Sequence, residues 1–260
     1  MSLISIFQRL VLSLVLAGAS QNLCAQTFIG LKAGANATKI SFDSELYKNK
    51  KFYDTNFKPG FTVGGVFLME NKEKYGFTVA FLYYVKGKSV DSNADDYETH
   101  RANYHYFDLQ ILFRMKFNQS KFRWFLQLGP ELSYWLGGKG KFTVYEQDRD
   151  VFTTYEYAIN FGDPKSSSDY LNAQGGAHRL QLGLAIGGGF IWELSKGNFL
   201  SLDLRYTFGH TFMGDYESAS IPGVGLVDNM EHTNNVASVS VVYYLDILEK
   251  IRLNNKYRRK

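Results

Sequence analysis

Three carboxylates and two guanidinium groups lie at positions in the sequence from which they could act together. They are Asp108, Glu131, Asp203, Arg205 and Arg114. Two carboxylates held close together repel each other unless they share a proton or a cation lies between them. Such a group could form a structural ion-pair network, conduct protons or act as an acid–base pair. Which of these three roles applies depends on the secondary-structure elements that position the residues.

Strict alternation of apolar and polar side chains predicts those elements. In the segment HYFDLQILFRMKF (105–117) the odd positions are almost all apolar, whereas Asp108, Gln110, Arg114 and Lys116 occupy even positions. A period of two is typical of a β-strand with two different faces, and this run is long for a soluble strand. Seven further segments alternate, some of them more weakly: 27–38, 59–70, 75–88, 122–136, 179–192, 199–212 and 234–247.

The connections between these eight segments alternate in length. The short connections are 71–74, 118–121 and 193–198, and the long ones are 39–58, 89–103, 137–178 and 212–233. Short periplasmic turns and long extracellular loops are typical of a barrel in an outer membrane. We therefore predict an all-β fold, an eight-stranded antiparallel up-and-down transmembrane β-barrel. The alternative is a soluble eight-stranded barrel, in which the apolar face would point inward.

Composition agrees with a β-rich chain and excludes some functional classes. Aromatic residues make up 16% of the chain, there are 4 prolines, and the net charge of +4 is too small to indicate a nucleic-acid partner. The only cysteine, Cys24, follows a short apolar segment (10–18) with a signal-peptide pattern. We expect cleavage after residue 25, with lipidation of Cys24 or an uncleaved anchor as alternatives. The predicted barrel then covers 26–247, and a basic tail covers 248–260.

Several short motifs occur in an order that resembles a known family. They are LKAGAN (31–36), KPGF (58–61), YYVKGK (83–88), YFDLQILFRMKF (106–117), LQLGPELSYWLGGK (126–139), LGLAIGGGF (182–190) and LSLDLRYTFGHT (200–211). Their order and spacing resemble the outer-membrane β-barrel family described as porin-family or PorT-like. The resemblance implies an eight-stranded barrel in the outer membrane of a Gram-negative bacterium, and it implies no substrate.

Strand pairing predicts how the carboxylates meet inside such a barrel. If NQSK (118–121) is the turn of a hairpin, Phe117 pairs with Phe122, and this register places Asp108 directly opposite Glu131. An eight-stranded barrel is just wide enough for side chains to fill its interior. We therefore expect a plugged lumen.

The remaining charged residues complete this predicted network. Asp203 and Arg205 lie at a similar height above the periplasmic turns, and Arg205 is the predicted cation between the two carboxylates. Arg114 and Lys116 are expected lower in the barrel. The network is expected to be structural; a polar gate or proton path and a catalytic carboxylate pair are the alternatives.

The loops and the tail are the expected interaction surfaces. The basic and aromatic segment YKNKKFYDTNFK (47–58) suits the phosphates of lipopolysaccharide, and VYEQDRDVFTTYEYAINF (144–161) still alternates, which indicates strands that continue beyond the membrane. Outer-membrane lipid, lipopolysaccharide and an envelope protein are the expected partners, and no cofactor or metal is expected. We predict a non-enzymatic barrel; a narrow channel for small solutes and a lipid-modifying enzyme are the alternatives.

Overall fold

Strands make up most of the described chain. The computed structural model describes residues 26–43, 53–71, 74–92, 99–119, 122–146, 150–173, 176–195, 197–215, 219–222 and 226–246. The predicted signal peptide (1–25), the basic tail (248–260) and much of the predicted loop at 47–58 lie outside these residues. Among the described residues, no helix has the length and apolar character needed to cross a membrane.

Thirteen strands are present in the described part of the chain. They are β1 (Gln26–Phe42), β2 (Tyr53–Thr55), β3 (Lys58–Glu70), β4 (Tyr75–Ser92), β5 (Thr99–Gln119), β6 (Phe122–Glu146), β7 (Val151–Asn160), β8 (Tyr170–Ala173), β9 (Leu180–Ser195), β10 (Asn198–Gly209), β11 (Ala219–Ile221), β12 (Leu226–Asp228) and β13 (His232–Asp246).

Eight long strands form a closed antiparallel ring in the order β1, β3, β4, β5, β6, β9, β10 and β13. The ring closes where β1 pairs with β13, from Phe28 opposite Asp246 to Phe42 opposite His232. Closure leaves these strands without free edges, because each has a hydrogen-bonded neighbour on both sides. The predicted eight-stranded barrel is confirmed.

The upper part of the barrel continues into an additional sheet. From Arg123 to Tyr134, β6 pairs with β9, but from Lys139 onward it pairs with β7. Strands β8, β11 and β12 extend this sheet further. The segment 137–178, which we predicted as one long connection, therefore contains the end of β6 together with β7 and β8. This agrees with the alternation predicted over 144–161.

Burial alternates along the barrel strands in the direction that a bilayer requires. The outward side chains are apolar and exposed, among them Leu31, Phe81, Leu128, Ile186 and Val241. The inward positions are buried and include many charged and polar side chains. A soluble barrel would have the opposite distribution, whereas a membrane barrel needs an apolar outer band and tolerates a polar interior. The alternative of a soluble barrel is therefore excluded.

Because this outer band faces lipid, the effect of a charged substitution on stability should depend strongly on its depth in the bilayer. Along β9 the outward position Ile186 lies midway between Leu180 at the extracellular end and Trp192 near the periplasmic end. An arginine at the bilayer midplane costs about 2–4 kcal/mol, and one near the interface about 0–1 kcal/mol. Ile186→Arg should therefore lower the free energy of unfolding in lipid vesicles far more than Leu180→Arg. Equal effects of the two substitutions in urea titrations would contradict this placement of the membrane.

The β5–β6 hairpin corrects one predicted register. Phe117 pairs with Trp124 rather than with Phe122, because both strands extend into the predicted turn until residue 119 faces residue 122. Asp108 consequently faces Ser133, and Glu131 faces Gln110. The shift of two residues preserves the alternation, so both carboxylates still point into the barrel, but they are not directly opposite each other.

Candidate functional site

A lysine from β4 joins the two predicted carboxylates inside the barrel. The Nζ atom of Lys86 lies 2.8 Å from Oδ2 of Asp108 and 3.1 Å from Oε1 of Glu131. It also donates a hydrogen bond of 2.9 Å to Oγ of Ser133. The three charged side chains are at most 4% exposed. The prediction that Arg205 lies between these carboxylates is therefore wrong, since Lys86 fills that place.

Glu131 also connects the lysine to the opposite side of the lumen. Its Oε2 atom accepts hydrogen bonds from Nε2 of Gln110 at 2.6 Å and from Oγ1 of Thr207 at 3.0 Å. The Oε1 atom of Gln110 in turn accepts a hydrogen bond from the guanidinium of Arg205. Arg205 thus reaches Glu131 through an amide rather than directly.

The far end of the network is centred on Asp203. The Nη2 atom of Arg205 lies 3.5 Å from Oδ2 of Asp203, and Nζ of Lys32 lies 3.3 Å from the same oxygen. Oγ of Ser201 donates to the other carboxylate oxygen at 2.8 Å. We call the resulting chain of contacts the lumen network: Lys32, Asp203, Arg205, Gln110, Glu131, Lys86 and Asp108.

Arg114 lies nearer the periplasmic end, as predicted, and its guanidinium packs against aromatic rings. Its Cζ atom lies 3.6 Å from the ring centroid of Phe125 and 5.9 Å from that of Tyr244. A cation over an aromatic face is attracted by the ring quadrupole, most strongly where water is excluded. Below it, Nζ of Lys116 forms a 2.8 Å ion pair with Glu70.

A layer of aromatic side chains covers the lumen network on its extracellular side. Tyr84, Tyr104, Tyr106 and Trp135 are all at most 2% exposed. Nζ of Lys86 lies 4.8 Å from the ring centroid of Tyr106, and the indole of Trp135 donates a 2.9 Å hydrogen bond to a backbone carbonyl. These buried rings therefore lie between the lumen network and the extracellular end of the barrel.

A second buried charge cluster lies at the extracellular mouth. Lys88 forms an ion pair with Asp228, and Nδ1 of His100 lies 3.6 Å from the same carboxylate oxygen. Nε2 of His100 shares a 2.5 Å hydrogen bond with the hydroxyl of Tyr157, and Nδ1 of His232 lies 3.1 Å from the carbonyl of Asn229. We call Lys88, His100, Tyr157, Asp228 and His232 the mouth cluster.

Burial strongly shifts the ionisation of the mouth cluster. It lowers the pKa of His100 to about 4 and that of His232 to about 3, because the protonated imidazole loses its hydration. Burial alone would raise the pKa of Asp228, but the ammonium of Lys88, joined by His100 when that imidazole is protonated, holds the pKa below its usual value. Both histidines are therefore neutral at pH 7, while Asp228 is ionised and paired.

Sequence reasoning found four members of the lumen network but missed its two lysines and Gln110, and it missed the mouth cluster. Lys32 and Lys86 do occupy inward positions in GLKAG and YVKGK, and this parity was the available signal. For Asp228 there was no such signal, because it lies in a segment without alternation between two barrel strands. The predicted residues Asp108, Glu131, Asp203 and Arg205 are brought together, and Arg114 is placed one level below them.

An apolar outer band, an interior of buried charged and polar side chains and a ring of eight antiparallel strands define an integral outer-membrane β-barrel. The sequence matches the model of the outer membrane protein beta-barrel domain over residues 20–211, and the chain belongs to this family. It follows that the protein resides in the bacterial outer membrane.

Solved structures of outer-membrane proteins are similar to this barrel at low sequence identity. OprG of Pseudomonas aeruginosa is similar with 14% identity and a TM-score of 0.50, over 87% of this chain and 99% of that one. Ail of Yersinia pestis shows 10% identity and a TM-score of 0.37, over 85% and 99%. Neisserial surface protein A shows 13% identity and a TM-score of 0.35, over 82% and 95%. Comparison with curated proteins finds no match.

Proposed function

We propose that this protein is a non-enzymatic outer-membrane barrel whose lumen is plugged by its own side chains and whose long extracellular strands form an interaction surface. One observation carries the proposal. Seven charged side chains that point into the lumen are at most 5% exposed: Lys32, Lys86, Asp108, Arg114, Glu131, Asp203 and Arg205. A water-filled pore would leave such side chains hydrated.

The closure has several levels, which would have to open together for a solute to pass. From the periplasmic side these are the pair of Lys116 and Glu70, the lumen network, the aromatic layer and the mouth cluster. An eight-stranded barrel offers an interior only wide enough for side chains. Displacing the lumen network would leave buried charges unpaired, which costs several kcal/mol.

The same contacts argue against acid–base catalysis by the carboxylates. A general base needs an accessible lone pair within hydrogen-bond reach of a substrate. Asp108 and Glu131 are both held by Lys86, Glu131 also accepts from two further donors, and both residues are at most 2% exposed. This arrangement supports a structural role for the network.

The extracellular strands provide the surface of the proposed interaction. On β5 the exposed apolar band ends at Phe107, but the strand continues to Thr99, roughly 25 Å at about 3.3 Å per residue. Strands β6 and β7 accompany it. This rigid extension supports a role in contacts with envelope lipid or an envelope protein.

Planar-bilayer recording tests the plugged lumen. We expect the folded wild-type protein to give no unitary currents, because no hydrated path leads past Lys86 and the aromatic layer. Heat-modifiable gel mobility of the same preparation should show that the inserted protein is folded. Unitary currents in wild type that change in Glu131→Ala would favour the narrow-channel alternative and overturn the proposal.

A further inference from the structure

A basic cleft lies on the outer wall of the barrel, immediately above the apolar band. It has a volume of about 420 Å³ and lies where β5, β6 and β7 run side by side. Four cationic side chains line it, namely Lys58, Arg101, Lys139 and Lys141, against two carboxylates, Glu156 and Asp169. The cleft therefore carries an excess of positive charge on a surface that is continuous with the lipid-facing wall.

Two of the four cations are already paired. Arg101 contacts Asp91 at 2.6 Å and donates a 2.6 Å hydrogen bond to Ser89, and Lys141 forms an ion pair with Glu156. These pairs fix the walls of the cleft and offset part of its charge. The pairing leaves the other two lysines as the source of the excess charge.

Lys58 and Lys139 have no carboxylate within ion-pairing distance among the described residues. The stem of Lys58 crosses the backbone at Gly87, where a Cβ atom would come within 2.5 Å of its Cγ. Glycine at this position thus lets the lysine lie across β4 toward the cleft. Lys139 comes from the opposite wall and pairs in register with Asn103.

The height of the cleft identifies the kind of ligand. Directly below it, the hydroxyl of Tyr83 shares a 2.6 Å hydrogen bond with His105, and the exposed rings of Phe107 and Tyr134 mark the upper edge of the apolar band. Asn103 follows His105 on the same face, about 7 Å further along the strand. The cleft is therefore at the level of the outer lipid headgroups.

We propose that this cleft binds the phosphorylated sugar headgroup of an outer-leaflet glycolipid, with its acyl chains on the apolar band below. The ammonium groups of Lys58 and Lys139 pair with phosphate, while Asn103, Glu156 and Asp169 offer hydrogen bonds to sugar hydroxyls. The inference deepens the lipid contact within the proposed function and rests on it. It is independent of whether the lumen conducts.

Titration with labelled lipid A tests the site in the folded, full-length protein in neutral detergent. Diphosphoryl lipid A should bind wild type at least 10-fold more tightly than the fully dephosphorylated lipid. The K58Q/K139Q variant should lose that preference, and since it spares both ion pairs, its heat-modifiable mobility should match wild type. The comparison of the two lipids on wild type needs no variant at all.

A control double substitution distinguishes specific binding at the cleft from non-specific attraction by the protein's positive charge. K39Q/K165Q removes the same charge from two other described lysines outside the cleft and should bind diphosphoryl lipid A as wild type does. Equal weakening in both double variants, or equal binding of both lipids by wild type, would overturn the proposal. Full competition by millimolar inorganic phosphate would also overturn it, in favour of a free-anion site. If the wild-type protein gives no unitary currents but binds both lipids equally, the glycolipid proposal fails and the plugged-lumen proposal does not.

Discussion

Replacing Lys86 by methionine should lower the free energy of unfolding by about 3–5 kcal/mol. The substitution keeps the side-chain volume but leaves Asp108 and Glu131 buried within the lumen without their shared cation. An unpaired buried charge costs far more than the ion pair itself contributes, because the carboxylate loses its hydration with nothing in return. Urea titration in lipid vesicles, followed by tryptophan fluorescence, measures the loss.

Neutralising the two carboxylates that the substitution leaves unpaired should restore most of the lost stability. In the Lys86→Met background, Asp108→Asn together with Glu131→Gln leaves neutral side chains of nearly the same shape. Lys165→Met is the matched control for loss of a lysine, since Lys165 is exposed and its ammonium stacks on Tyr170 at 3.8 Å. It should change stability by less than about 0.5 kcal/mol. A Lys86→Met variant that unfolds at the wild-type urea concentration would show that the network does not hold the barrel together.

The faces of the barrel strands could be predicted from the sequence, but their register could not. A side-chain period of two fixes which residues point inward, so Asp108 and Glu131 were placed in the lumen correctly. A slip of two residues preserves every face, and the alternation therefore gives no information about it. Pairing between the two strands continues until residue 119 faces residue 122, and the letters NQSK do not show where it stops.

Contacts across the lumen were unpredictable for a different reason. Lys32 and Asp203 are 171 positions apart and lie on strands that are not neighbours in the ring, since β13 separates β1 from β10. No local pattern fixes their relative height. A long flexible side chain such as Lys86 also reaches past the residue opposite it in the ladder, Tyr104, to carboxylates several positions lower. Sequence parity can list the candidates for such a network, but it cannot pair them.

Acidification from pH 7.5 to pH 5 should loosen the segment around Asp228 at the barrel mouth while the barrel itself stays folded. The pKa of His100 is lowered to about 4 and that of His232 to about 3, so neither gains a proton in the closed state at pH 5. When the mouth opens, both return toward the ordinary value of about 6.5 and take up protons. Stability of the closed mouth is therefore complete above pH about 6.5 and falls as the pH drops toward 4.

The expected loss follows from that difference in proton binding. Each histidine contributes about 1.4 kcal/mol per pH unit below its open-state pKa, which gives roughly 2 kcal/mol for each at pH 5. Asp228 adds to the loss only at lower pH, since Lys88 and His100 hold its pKa below the usual range. Hydrogen exchange of peptides covering 226–232, corrected for the intrinsic effect of pH, should show faster exchange at pH 5. Peptides around Val242, within the membrane ring, should not change.

The slope of the corrected exchange rate against pH shows whether protonation of the two histidines drives the opening. The absolute rate does not, because a substitution can also make the mouth open more often at every pH. The H100Q/H232Q variant keeps polar side chains at both positions but cannot gain charge. Even if its mouth opens more often than that of wild type, its corrected exchange should be nearly independent of pH between 7.5 and 5. A variant that retains the full wild-type slope would mean that other groups drive the opening. Within the peptides covering 226–232, the amides of Glu231 and His232 report the opening, because they donate to Oδ1 of Asn229 at 2.8 Å and to the carbonyl of Met230 at 2.7 Å.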